Sequence, residues 1–249
     1  MSGLLQGRHV IITGARRGIG RAMLTTFAEN GANIWAHARE LTPEFKSLCE
    51  ETAAGFGVAV WPLCFELTDY DAMKSAVKEI LASKIPVDGL VNNAGITHNA
   101  LFQMSRVEEL RGQMEVNFIA PYIFTQYILK LMIKNQRGSI VNIASTAGLD
   151  GNSGKSAYGA SKAALIAMTK SIAEEVGFSG VRANCIAPGI TETEMLFTMP
   201  EQVVRETRDA ADLRRAGLPS DIAQTAVFLV SDLSAYMTGQ VVRVDGGMR

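Results

Sequence analysis

Cysteine, histidine and proline are all scarce in this chain of 249 residues, numbering three, three and seven. Cys49, Cys64 and Cys185 are too few and too scattered for a disulfide framework, and an odd count leaves at least one thiol free, which points to a reducing compartment. The histidines, His9, His37 and His98, form no HExxH pattern, and there is no CxxC. That leaves little material for a metal site or a histidine-based triad, and no metal is expected. An excess of one charge is also missing: 24 Lys and Arg stand against 25 Asp and Glu. Bulk electrostatics therefore gives no reason to bind nucleic acid or an anionic membrane, and neither is expected as a partner. The most apolar stretch, Phe118 to Leu129, contains Pro121 and runs into Lys130, short of the roughly 18 residues of a spanning helix. The first nine residues lack the sustained apolar run of a secretory signal. A soluble, cytoplasmic protein is expected.

What the chain has is glycine, 23 residues of it, and a 47% hydrophobic fraction, the composition of a globular protein with many tight turns. Apolar, β-branched runs at 9–13, 33–37, 58–61, 87–91, 139–143, 181–186 and 240–244 predict seven strands. They recur too widely for hairpins. Between them, Ile19, Ala22, Met23 and Phe27 repeat at helical spacing, as do Ala72, Met73, Ala76 and Ile80, and then Leu165, Met168, Thr169 and Ile172. Strand then helix, repeated, implies a parallel sheet with right-handed crossovers and helices on both faces, the doubly wound α/β plan. With no repeat and no linker, residues 1–249 read as one domain. The stretch from Ile190 to Leu218 breaks the rhythm: it follows Pro188-Gly189, carries Met195, Leu196, Phe197 and Met199, and shows no strand signal. Its place after a parallel strand makes it a candidate lid, with a surface helical pair as the equal alternative.

Three patterns carry chemistry. Thr13-Gly-Ala-Arg-Arg-Gly-Ile-Gly20 follows a strand and opens a helix, where Gly14, Gly18 and Gly20 would let a pyrophosphate approach the helix's positive end. The spacing is G-x-x-x-G-x-G and lacks a P-loop lysine, which argues against an ATPase. At the end of the second strand, Ala38-Arg39 stands where a carboxylate would favour NAD and a cation NADP. With Arg17, Arg39 could clamp a 2′-phosphate; Glu40 could instead take a ribose hydroxyl or pair with Arg39. Finally, Tyr158 and Lys162, four apart, share a helix face about 6 Å apart along the axis, close enough for the ammonium to lower the phenol's pKa. Ser145 closes the preceding strand on the same sheet edge. A surface tyrosine and a capping serine are the plainer alternatives.

Taken together, the glycine turn, Asn92-Asn-Ala-Gly95, Asn117, Ser145, Tyr158-Gly-Ala-Ser-Lys162, Pro188-Gly189 and Asp245-Gly-Gly247 resemble, in order and over essentially the whole chain, the short-chain dehydrogenase/reductase family. The resemblance implies a Rossmann domain with a seven-stranded parallel sheet, NADP(H) as cofactor, and Asn117, Ser145, Tyr158 and Lys162 as the catalytic set. It also implies cofactor contacts from Gly14, Arg16, Arg17, Gly18, Ile19, Gly20, Ala38, Arg39, Glu66, Leu67, Asn93, Ala94, Gly95, Tyr158, Lys162, Pro188, Gly189, Ile190 and Thr191. Read without it, Asn117 is a polar break in a helix and Asn92 a strand terminator.

Within the family, Asn93-Ala-Gly-Ile-Thr97 with Leu101, Gly151-Asn-Ser-Gly154, and Ile190-Thr-Glu-Thr193 with Met195 are similar to bacterial 3-oxoacyl-acyl-carrier-protein reductases. That likeness implies a ketone or 3-oxoacyl thioester substrate and an acyl carrier protein as possible partner. Gln136 and Ser179 stand where arginine would be expected for the carrier, with Lys134 and Arg137 as partial substitutes, and Glu66 stands where an aspartate is usual. The implied chemistry gives Tyr158 the role of acid, its phenol drawn from about 10 toward 7 by Lys162 and the oxidised nicotinamide. Ser145 would donate to the carbonyl oxygen, Lys162 would hold the nicotinamide ribose, and Asn117 would fix a water linking Lys162 to solvent. A ketoreductase for a sugar, steroid or polyketide-like substrate is the neighbouring reading, and a non-catalytic NADP-binding regulatory protein the distant one. Apolar positions Ile123, Phe124, Tyr127, Leu131, Ala164, Ile166 and Ala167 exceed what one buried stripe needs, which marks an interface, and the family resemblance implies that the assembly is a homotetramer able to fall back to a dimer.

Overall fold

A computed structural model describes residues 3–194, 196 and 201–248. Met195, Phe197 and Met199 of the candidate lid, and Arg249, lie outside the described residues. In chain order the elements are β1 (His9–Ile12), α1 (Gly18–Glu29), β2 (Asn33–Ala38), α2 (Pro43–Phe56), β3 (Val60–Cys64), α3 (Tyr70–Ala82), β4 (Gly89–Asn92), α4 (Val107–Met114), α5 (Ala120–Lys134), β5 (Gly138–Ile143), α6 (Ala147–Asp150), α7 (Ser156–Val176), β6 (Val181–Pro188), α8 (Glu201–Ala210), α9 (Pro219–Val230) and β7 (Val241–Val244).

The seven strands form one parallel sheet in the order β3-β2-β1-β4-β5-β6-β7. All seven predicted strands are present. The third is displaced, from 58–61 to Val60–Cys64, and it contains Pro62. A missing amide is tolerable there because β3 is an edge strand. The order reverses between β1 and β4, and that reversal opens the crevice above their carboxyl ends in which such sheets hold ligands.

Alternation along the strands divides the core. Val10 and Ile12 face a layer built on α1 and α9 with Met23, Leu24, Phe27, Ala226 and Val230, whereas Ile11 faces the opposite layer of Met73, Ile80, Phe124, Ile128 and Met132 from α3 and α5. Helix starts follow local chemistry. Thr42 caps α2 by accepting from the Phe45 amide, with Pro43 in the first turn and Gly57 closing the far end at φ 66°, and Asp69 caps α3 by accepting from the amides of Asp71 and Ala72. The run Val107–Lys134 is continuous helix of 28 residues, long and apolar enough by composition to cross a membrane, longer than the sequence stretch suggested. Phe124, Ile128 and Met132 on it are fully buried, so one face of this helix packs into the core.

The irregular segment leaves β6 and returns to itself. Thr191 and Gly217 form a parallel bridge, with the Glu192 amide donating to Gly217 and the Gly217 amide to Ile190. A short strand contact thus ties its two ends where no strand was expected, and α8 is its one helix among the described residues. Asp245 stands against Gly189, where a Cβ would come within 2.7 Å of the Asp245 Cβ.

Candidate active site

The glycine turn begins where β1 ends. Gly14 and Gly18 have φ of 68° and 54°, the left-handed region that favours glycine, and a Cβ on Gly20 would sit 2.0 Å from the Gly14 carbonyl oxygen. The first turn of α1 therefore lies directly against β1's exit, with no room for a side chain. Arg17 precedes α1 without capping it, and the first turn holds no acidic residue. The amides of Gly18, Ile19 and Gly20 have no partner within the helix, and no carboxylate offsets the positive pole. These features fit a pyrophosphate-bearing cofactor.

Asn93 and Thr13 brace this turn across the crevice. The Asn93 side-chain amide donates to the carbonyls of Thr13 and Gly14 at 3.0 and 3.3 Å, and the Thr13 hydroxyl accepts from the amides of Asn93 and Ala94 at 2.9 and 3.1 Å. The Asn93 side chain and the amides of Asn93 and Ala94 are thus spent on protein, which leaves the carbonyls of this segment and Gly95 to face a ligand. Pro188 is buried, Gly189 and Ile190 are half-buried, and Thr191 is buried with its hydroxyl donating to the Gly189 carbonyl.

The expected arginine clamp is arranged differently. Arg17 Nη1 lies 2.6 Å from Glu194 Oε2, so it leans toward the 190–218 segment and away from Arg39. Arg16 is near enough to α2 for its charge to act weakly on Glu44 in that helix's first turn. Arg39 and Glu40 are both exposed, and no ion pair joins them among the described residues. Ala38 and Leu67 are buried and Glu66 is exposed.

Beyond β5, the four proposed catalytic residues converge. Ser145 lies close enough to Tyr158 for its hydroxyl to favour the phenolate, and it accepts from the Ala147 amide at 3.2 Å, the start of α6. Tyr158 and Lys162 share a face of α7, with the ammonium 5.7 Å from the ring centroid. Lys162 is buried and donates to the Ile143 carbonyl at 2.8 Å. A Cβ on Gly95 would lie 3.4 Å from Lys162 Nζ and 3.0 Å from Asn117 Oδ1, so the Gly95 loop closes the same corner.

Asn117 lies fully buried in a π-helical turn, Glu115–Ile119, of the kind that often marks a functional position. Its Oδ1 accepts from the Ile96 amide at 2.8 Å, and its Nδ2 donates to the Ile96 carbonyl and to Ser161 Oγ. Both amide hydrogens are therefore committed to protein. Ser161, which in turn donates to the Tyr158 carbonyl, is a support that spacing alone did not single out.

Burial pushes the Tyr158 phenol above its ordinary value of 10, and the Ser145 hydrogen bond only partly opposes it. Burial likewise lowers Lys162 from 10.5 to about 8. Within the protein alone, desolvation of a buried phenolate outweighs the Ser145 dipole, and the charge of a bound oxidised nicotinamide would act in the opposite direction.

Two further features escaped the sequence. A buried polar chain crosses the sheet below the site: Asn92 Nδ2 donates to Thr125 Oγ1 and Asn142 Oδ1, Asn142 Nδ2 donates to Thr169 Oγ1, and Cys185 Sγ lies 3.0 Å from that hydroxyl. Since Thr169 donates to the Leu165 carbonyl, the thiol is the donor to Thr169. The second is His37, whose Nδ1 accepts from the Gly14 amide. Side-chain pairing across strands leaves no local sequence pattern.

The profile of the family described as Enoyl-(Acyl carrier protein) reductase matches residues 14–249. The 3-oxoacyl-[acyl-carrier-protein] reductase of Thermotoga maritima is 38% identical over 244 residues, 98% of each chain. The 3alpha-hydroxysteroid dehydrogenase of Mediterraneibacter gnavus is 34% identical over 249 residues, 99% of this chain and 98% of its own. The crystal structure of the 3-oxoacyl-[acyl-carrier protein] reductase of Brucella melitensis superposes with a TM-score of 0.90 at 33% identity, covering 99% of this chain and 93% of that one. A family profile over nearly the whole chain and relatives so similar over full length place the chain in the short-chain dehydrogenase/reductase family, oxidoreductases acting on CH–OH groups.

Proposed function

We propose that the protein reduces a ketone with NADPH, the ketone being a 3-oxoacyl thioester. The observation that carries this reading is the meeting of Ser145, Tyr158 and Lys162 at one corner of the crevice, closed by the loop at Gly95. A bound nicotinamide supplies the hydride. Tyr158, kept neutral by burial, is the acid that protonates the developing alkoxide, and Ser145 stabilises the same oxygen as charge builds. Lys162 holds positive charge beside the phenol as the proton leaves, and the turn at Gly18, Ile19 and Gly20 receives the pyrophosphate. Asn117 and Ser161 keep the Gly95 loop and α7 in register.

For the 2′-phosphate the partner at the end of β2 is Arg39, joined by Arg16 of the glycine turn in place of Arg17, which is paired with Glu194. The thioester reading draws on relatives named for acting on acyl-carrier-protein substrates. Carrier docking has less to work with here: Ser179 is buried, Gln136 is neutral, and Arg137 Nε is drawn 3.3 Å from Asp88, leaving Lys134. Residues 190–218 act as the substrate lid of a single-domain, cytoplasmic homotetramer. The test is NADPH oxidation with 3-oxoacyl thioesters, free and carrier-linked, beside diketones, keto-sugars and 3-oxosteroids. The highest kcat/KM is expected on a thioester. A steroid or sugar ketone turned over more efficiently would overturn the substrate, and NADPH binding without any turnover would overturn catalysis.

A further inference from the structure

We infer that His37 is a positioning residue of the dinucleotide site: its ring, held in one tautomer, fixes the glycine turn through Gly14 and so sets cofactor affinity. His37 is 1% exposed at the end of β2. Its Nε2 lies 3.0 Å from the Phe65 carbonyl, an oxygen that can only accept, so Nε2 carries the hydrogen and Nδ1 presents a lone pair. The Gly14 amide supplies the matching donor, 3.2 Å from Nδ1. The backbone carbonyl of the same residue accepts from the Ala15 amide at 2.8 Å. Two consecutive amides of the turn thus point at His37 and away from the crevice. The amides left for a phosphate are those opening α1.

The ring also fixes its own place. It packs on Phe65 with centroids 4.5 Å apart, and Phe65 follows β3, so one side chain links the exits of β1, β2 and β3. Burial holds the imidazole down to about 4, which keeps Nδ1 an acceptor at neutral pH. Its place beside the glycine turn means the Gly14 peptide has one orientation to offer, and a turn free to rotate would pay an ordering cost on binding.

This role rests on the dinucleotide reading, and two carboxamide variants isolate it. In His37→Asn the Oδ1 stands where Nδ1 stood and can accept from Gly14. In His37→Gln the terminal amide nitrogen stands near Nε2 and can donate to Phe65, leaving Gly14 without its acceptor. Dissociation constants for NADPH and NADH by cofactor fluorescence, kcat at saturating cofactor, and Tm are measured for each. His37→Asn is expected within about threefold of wild type, and His37→Gln about tenfold weaker for both cofactors alike, the size of the cost of ordering a freed turn on binding. The kcat should be unchanged in both, and 15N NMR of wild type should show Nδ1 unprotonated. Equal affinity of His37→Gln and wild type, equal loss in both variants, or losses that merely follow Tm would overturn the inference. A wild type that binds neither cofactor would instead overturn the dinucleotide reading, and this role with it.

Discussion

The Lys162 ammonium lies 5.7 Å from the centre of the Tyr158 ring, while its own hydrogen bond goes to the Ile143 carbonyl. The lysine is thus anchored to β5 and acts on the phenol through space. Tyr158→Phe keeps the ring and its packing but removes the acid. Turnover is expected to fall by about 10² or more, with NADPH affinity within about twofold of wild type, read by steady-state kinetics and fluorescence titration. Retention of more than about a tenth of wild-type turnover would contradict the assignment.

Burial of Lys162 also predicts a pH dependence of stability. Its folded pKa of about 8 lies below the ordinary 10.5, so between those values the unfolded chain binds more protons than the folded one. Stability contributed by this group therefore rises with pH across that window, and below about 8 the full cost of the buried charge applies, on the order of 3 kcal/mol. Lys162→Met removes both the cost and the pH slope. Its melting temperature at pH 7 is expected to be no lower than wild type, with reductase activity lost. Thermal melts from pH 7 to 10 on both proteins check this, and a gap between them that does not change with pH would refute it.

Much of this was legible in the chain, and the exceptions have a common cause. Strands such as Ser139 to Ile143 are buried on both faces, so they read as apolar runs, and Tyr158 and Lys162 lie on one helix, where spacing sets geometry. The edge strand shifted because Pro62 interrupts a run that tertiary pairing tolerates. What the sequence could not show is which long-range partner a polar side chain takes. Arg17 reaches Glu194, 177 positions away, Asn93 turns back on Thr13 and Gly14, and His37 accepts from Gly14. Each is decided by where strands and loops meet, and periodicity carries no record of that.

The apolar surplus on α5 and α7 is redistributed by the fold. Phe124 and Ile166 are core residues, whereas Ile119, Tyr122 and Ile133 are 36%, 43% and 38% exposed. Phe118 meets Tyr122 edge-on at 5.9 Å, so the exposed patch is ordered by its own contacts. Packing of this face on a second copy would bury it. Light scattering is expected to give a mass of two or four chains, and Tyr122→Glu to shift the distribution toward smaller species. A stable, fully active wild-type monomer at micromolar concentration would assign this face to the solvent.

Cofactor choice separates the three arginines around the glycine turn. Arg39→Asp replaces a phosphate partner by a repelling carboxylate, and should weaken NADPH binding by about tenfold or more while leaving NADH nearly unchanged. Arg16→Ala should act in the same direction and less strongly, because it removes a charge without adding a repelling one. Arg17→Ala should leave the NADPH to NADH ratio within about twofold, since its guanidinium is paired with Glu194. That ion pair is largely exposed, so its loss should cost at most about 1 kcal/mol of stability. Paired titrations with NADPH and NADH on the three variants decide the matter. A selectivity change larger in Arg17→Ala than in Arg39→Asp would mean that Glu194 gives up its partner when the 2′-phosphate arrives, and would move the phosphate site from the α2 side of the turn to the lid side.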